Sequence, residues 1–139
     1  MADIFISYSR KDSNIVGAFV WRLEHEGFKV WIDRDGIYSG NVFAEVIATA
    51  IEESKVLIFF SSENSNISPW TAGEIGIANM YGKHIIPVRL DHSPYNKRVI
   101  IHLVNLDYID YSDPSKHYVM MEKLVKELRE LCPDTAPRE

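Results

Sequence analysis

Short apolar runs alternate with longer amphipathic stretches along the whole chain. Residues 3–7 (DIFIS), 28–32 (FKVWI), 56–60 (VLIFF), 84–90 (HIIPVRL) and 107–110 (DYID) read as five strands. The first and third are almost wholly apolar, as expected of strands covered on both faces. After the first strand, Ile15, Val16, Phe19, Val20 and Leu23 share one side of a helix that Asp12 is placed to cap and Gly27 to end. Phe43, Val46, Ile47, Ala50 and Ile51 fit the i, i+3, i+4, i+7, i+8 template behind a cap at Asn41. Ser68-Pro69 opens a further helix, because the hydroxyl takes an orphan N–H and proline has none to satisfy; Gly82 closes it. Asp113-Pro114 repeats that signal ahead of a helix expected to bury Tyr118, Met121, Val125 and Leu128. Residues 61–67 read as a polar loop and 99–101 as a helical turn. Pro87 cannot donate to a ladder, so the fourth strand is expected at a sheet edge or a bulge.

Strand and helix alternating in this way predict a three-layer α/β sandwich, flavodoxin-like, around a parallel sheet of about five strands in the order 2-1-3-4-5. One domain is expected over residues 1–132, with 133–139, which holds Pro133 and Pro137, as a C-terminal tail or linker. In such sheets ligands bind beyond the carboxyl ends of the strands. Residues 8–10, 33–43, 61–70 and 89–92 leave those ends and carry most of the unusual polar chemistry.

The helix opened by Ser68-Pro69 holds the most informative spacing. Trp70, Glu74, Ile77 and Tyr81 recur on one helical face, so a carboxylate sits on an aromatic and apolar strip near a strand end. Two readings stand at this point. Glu74 is a solvated residue in the N-terminal half of a helix with Trp70 in the core, or the two line a pocket in which Trp70 stacks a ring and Glu74 handles a hydroxyl or a cation.

Charge and composition narrow the partners. A net charge of −5 and a pI near 5.5 argue against nucleic acid, which needs a basic face. A single cysteine, Cys132, excludes an internal disulfide and any cysteine-based metal cluster. The start of the chain lacks the basic and long apolar regions of a signal peptide, and no apolar run approaches the ~20 residues a membrane helix needs, so no membrane is expected and a cytoplasmic location is. There is no Gly-x-Gly-x-x-Gly after the first strand and no Gly-Lys-Ser/Thr loop; the acid cluster of a phospho-receiver is absent from the first strand's end. The histidines do not fall at ligand spacing, so no metal is expected.

Phe5-Ile6-Ser7-Tyr8-Ser9 with Asp12, Val30-Trp31-Ile32-Asp33, Ser39-Gly40 with Phe43, and Ser61, Ser68, Trp70 and Glu74 follow one another in an order that resembles the signature boxes of Toll/interleukin receptor (TIR) domains. The resemblance spans about residues 1–131 and looks most like the bacterial members. It makes 33–41 the counterpart of the family's mobile BB loop, although Ile37-Tyr38-Ser39-Gly40-Asn41 departs from the proline and acid found there in many members. It implies an NAD glycohydrolase or ADP-ribosyl cyclase that cleaves the nicotinamide–ribose bond of NAD+, releasing nicotinamide and ADP-ribose or a cyclic isomer. Glu74 would be the catalytic residue and NAD+ the substrate, with no separate cofactor. The setting it implies is bacterial antiphage signalling, with self-association through TIR–TIR contacts; its alternative is a non-enzymatic adaptor or host TIR mimic. Within that reading Trp70 and Phe43 stack on nicotinamide or adenine, although Phe43 also completes the apolar face of its helix. Arg10 and Arg34 suit the pyrophosphate, as guanidinium forks do, or are solvated charges. Ser9, Asp33 and Ser39 are further substrate-binding candidates, with Asp33 alternatively bracing its loop. Tyr8 and Trp31 read as packing.

Overall fold

The period-2 alternation of side chains along the strands sorts the core into two halves. The computed structural model describes residues 2–33 and 41–134. Within them β1 (Ile4–Ser7), β2 (Val30–Trp31), β3 (Val56–Ser61), β4 (His84–Arg89) and β5 (Ile109–Asp110) form one parallel sheet in the order β2-β1-β3-β4-β5, as the alternation predicts. Ile4, Ile6, Val56, Ile58, Phe60, Ile86 and Val88 point to one side, where they meet Val16, Phe19, Val20 and Leu23 of α1 (Ser13–His25) and Met121, Leu124, Val125 and Leu128 of α6 (His117–Leu131). Phe5, Leu57, Phe59 and Ile85 point to the other. There they pack against Phe43, Ile47, Ala50 and Ile51 of α2 (Asn41–Glu53), Ala72, Ile75 and Ala78 of α4 (Pro69–Met80), and Leu103 of α5 (Ile100–Leu103). The central strands β1 and β3 are buried along their whole length, which is why their sequences show no polar face.

Several helix ends follow their local chemistry. Gly27 leaves α1 at φ 97° and Gly82 follows α4 at φ 66°, backbone conformations that a Cβ would strain. Ser68 caps α4 by accepting from the Thr71 N–H, with Pro69 at the first position.

Four expectations are corrected. β4 is an interior strand, not an edge: it lies between β3 and β5. Leu90 N–H donates to Ser61 O on the β3 side, so by alternation the Pro87 nitrogen faces β5, whose pairing begins only at Val88. Proline therefore costs no ladder bond there. Residues 61–67 are not all loop, because Ser62 and Ser65 form a reciprocal capping box that starts α3 (Glu63–Asn66). Tyr118 is exposed rather than buried: a 3-10 turn (Pro114–Lys116) precedes α6, and His117 takes the inner place, its ring stacked on Tyr111 at 3.7 Å. Val46 sits at the rim of the buried face of α2 and is exposed. Of the expected tail, 135–139 lie outside the described residues.

Ile58 is fully buried in the central strand and Ile67 is 74% exposed. Ile58→Ala is expected to cost about 2–5 kcal/mol in urea unfolding and Ile67→Ala to stay within about 0.5 kcal/mol. Comparable losses at both positions would contradict this placement of the core.

Candidate functional site

The parity that turns Phe5 toward α2 and α4 turns Ser7 the same way, two residues on at the carboxyl end of β1. Ser7 is fully buried, and its Oγ donates a 2.8 Å hydrogen bond to Oε1 of Glu74. Glu74 lies one turn beyond Trp70 on α4, on the side that also buries Thr71, Ala72, Ile75 and Ala78, and is itself only 9% exposed. Burial lifts its carboxyl from the ordinary 4.5 to about 8; the Ser7 hydrogen bond opposes the rise, and the negative charge of Asp33 adds to it.

A network of small polar residues fixes where α4 begins, and so where Glu74 lies. Ser65 Oγ accepts from Ser62 N–H and donates to Phe60 O, while Asn66 Nδ2 donates to Ser61 Oγ and Ser62 O. Thr71 Oγ1 donates to Ser65 O, tying the first turn of α4 to α3. Asp12, expected to cap α1, makes no side-chain cap bond; its carboxylate accepts from Ser62 Oγ and Asn64 Nδ2 instead. Ser61 and Ser62 are thus absorbed by structure.

Glu74 opens onto a cleft of about 320 Å³ beyond the carboxyl ends of β1 and β2. That is the lower end of the range for ligand pockets, room for part of a dinucleotide. Trp70 and Phe43 line one wall with ring centroids 5.7 Å apart. Phe43 is buried in the core and also lines the cleft; Trp70 is 50% exposed, which removes the core reading. Ser9, Arg10 and Asp33 line the same cleft. Arg10 is exposed on a 3-10 turn (Arg10–Asp12), whereas the Ser9 hydroxyl is engaged as that turn's cap, accepting from Lys11 N–H. Arg34 and Ser39 lie outside the described residues, as does most of the 33–41 loop.

The structure adds Ser7, Tyr8, Lys11, Trp31 and Ser68 to these surroundings. Tyr8 donates its hydroxyl to the Asp33 carbonyl at 2.6 Å, and Trp31 stacks on Phe5 at 4.8 Å while facing the cleft. Both pack, as read from sequence, and both also shape the site. The signal for Ser7 was available: a polar residue at the end of an apolar strand, on the side of the sheet that Phe5 faces. Among the described residues no three His, Cys, Asp or Glu side chains converge as a metal would require, and no helix is long and apolar enough to cross a membrane.

A family model described as TIR domain matches residues 4–125. No curated protein matches the chain. Among solved structures, the TIR domain of the Toll-related receptor TRR-2 from Hydra magnipapillata is 25% identical, with a TM-score of 0.78 over 93% of this chain and 99% of that one. The CMP N-glycosidase BcmB of Clostridium botulinum is 26% identical, with a TM-score of 0.63 over 89% of this chain and 98% of that one. The TIR domains of the activated Roq1 resistosome, which recognises the pathogen effector XopQ, share the fold at 18% identity, with a TM-score of 0.58 over 94% of this chain and 84% of theirs.

A carboxyl whose pKa is raised on folding binds a proton that the unfolded chain has released, so it lowers stability as pH rises from the unfolded value toward about 8. The wild type is expected to lose stability across that window at up to about 1.4 kcal/mol per pH unit, and Glu74→Gln to lack that component. Parallel pH profiles of urea unfolding for the two proteins would contradict the desolvated carboxyl.

Proposed function

The chain belongs to the TIR domain family, and on that footing we propose that its cleft cleaves the N-glycosidic bond of a nucleotide, specifically the nicotinamide–ribose bond of NAD+. The observation that carries the reading is Glu74: a buried carboxylate at the inner end of a cleft walled by two aromatic rings, with its pKa raised to about 8. Carboxyls strongly shifted by burial cluster in the clefts where proteins do chemistry. The likeness to a CMP N-glycosidase supports the same bond type on this fold.

The chemistry needs only one carboxylate. The C1′–N bond breaks with its electron pair passing to the pyridinium nitrogen, and nicotinamide leaves neutral, so no acid need protonate it, unlike the leaving group of an ordinary glycoside. Positive charge grows on C1′ and the ring oxygen, and Glu74 stabilises it in a site where water does not screen the field. Water then adds to C1′ and gives up a proton, forming ADP-ribose; attack by an adenine nitrogen or a ribose hydroxyl instead forms a cyclic isomer. With its pKa raised to about 8, the Glu74 carboxyl takes up a proton near neutral pH before substrate binds. The positive pyridinium favours its ionised form, so substrate binding expels that proton.

Trp70 and Phe43 stack on the aromatic rings of the substrate, and Arg10 reaches its phosphates from the rim. Asp33 adds negative charge that suits the cationic ring. Ser9 accepts from the turn through its hydroxyl and contacts the substrate with the proton that this bond leaves available. Arg34 and Ser39 remain substrate-binding candidates of the 33–41 loop. NAD+ acts as substrate without a separate cofactor. The proposed setting is bacterial antiphage signalling in the cytoplasm, with TIR–TIR self-association. Exposed Ile100, Ile101, Val104 and Leu106, crowded into one short segment, favour such contacts. They equally suit the second reading, an adaptor that acts by association alone.

Incubation of concentrated protein with NAD+, followed by chromatography of nicotinamide and the nucleotide product, tests the proposal. Glu74→Ala and Glu74→Gln are expected to fall by about 10²–10³-fold or more with unchanged circular dichroism. Retained turnover in either variant would remove Glu74 from the mechanism, and a folded but inactive wild type would leave the adaptor reading.

A further inference from the structure

We propose that Ser7 is a positioning residue for the reaction at Glu74: its hydroxyl holds one carboxylate oxygen so that the other is presented to the ribose of the bound nucleotide. This rests on the glycohydrolase reading of the cleft. Ser7 is fully buried at the end of β1, in register with Phe59 of β3, so its Oγ is carried by a strand held in the sheet ladder rather than by a loop. Glu74 reaches it from α4 on a long side chain, and the 2.8 Å bond to Oε1 fixes that side chain's orientation.

The partner in this bond is informative. A serine hydroxyl has one proton to give. Equally secluded Ser54 gives its proton to the Ala50 backbone carbonyl at 2.7 Å, the usual way a buried serine is satisfied. Ser7 spends its proton on a carboxylate, which favours the ionised state that the reaction uses and burial resists. Among the described residues, the other groups around Glu74 do not replace it. Asp33 is an acid, and the Tyr8 hydroxyl is committed to the Asp33 carbonyl. Arg10 and Lys11 are exposed at the rim, and Phe43 and Ile47 of α2 present only apolar surface. Among the described residues, Ser7 is the hydrogen-bond donor to this carboxylate.

Ser7→Ala removes the donor and little volume. The pH midpoint of nicotinamide release from NAD+ is expected to move upward by about one unit, with KM measured above both midpoints, where Glu74 is ionised in both proteins, changed less than about twofold because Ser7 does not line the cleft. Ser7→Thr keeps the hydroxyl and is expected to return the midpoint toward wild type. Independently of turnover, the Glu74 side-chain carboxyl of the ligand-free protein, followed by carbon NMR and assigned by its loss in Glu74→Gln, is expected to titrate at higher pH in Ser7→Ala. Unmoved titrations in both measurements overturn the proposal. A displaced carboxyl titration in a wild type and variant that both fail to release nicotinamide supports the Ser7–Glu74 coupling and overturns the substrate reading.

Discussion

A strand buried on both faces gives each of its residues only two directions to point, and that constraint organises this molecule. In β1 it sends Ile4 and Ile6 to the layer of α1 and α6, and Phe5 and Ser7 to the layer of α2 and α4. The strand stops where the sheet gives way to the cleft, so its last residue sits between the core and the carboxyl that lines the cleft. Ser7 carries a hydroxyl at that position, and α4 supplies the carboxylate that takes it. Shift the register of β1 by one residue and an isoleucine would stand against Glu74, leaving a dry carboxylate without a donor.

The price of this arrangement is local stability. Desolvation is the largest influence on Glu74, and one hydrogen bond offsets only part of it. The surrounding polar connections compensate in geometry rather than in charge. Caps, a capping box and the Thr71 bond fix the start of α4, so the backbone that carries Glu74 cannot move toward water without disturbing several satisfied backbone groups. An uncharged residue at position 74 would suit folding better.

Much of this was legible in the sequence. The alternation of apolar runs and amphipathic stretches gave strand order, and Ser68-Pro69 set the phase that places Trp70 and Glu74 together. Misreadings arose where tertiary context outweighed a local rule. Pro87 was expected at an edge because the brevity of β5, which leaves its nitrogen unopposed, is not written in its neighbours. Tyr118 was placed in the core because helical spacing cannot foresee that His117 would occupy the inner position against Tyr111. Ser7 escaped notice for a related reason: a serine at a strand end looks like the start of a turn until the partner across the layer is known.

Asp12 illustrates how a residue can change occupation without changing place. It stands where a cap for α1 belongs, yet it fastens the turn after β1 to the connection after β3 through Ser62 and Asn64. Two crossings of the sheet rim are thereby stitched into one piece, and the start of α4 is anchored to that piece through α3. Positions 12, 62 and 64 consequently act as one mechanical joint: removing the side chain at 12 leaves the other two without their shared acceptor, although none of the three touches the carboxylate whose setting they preserve.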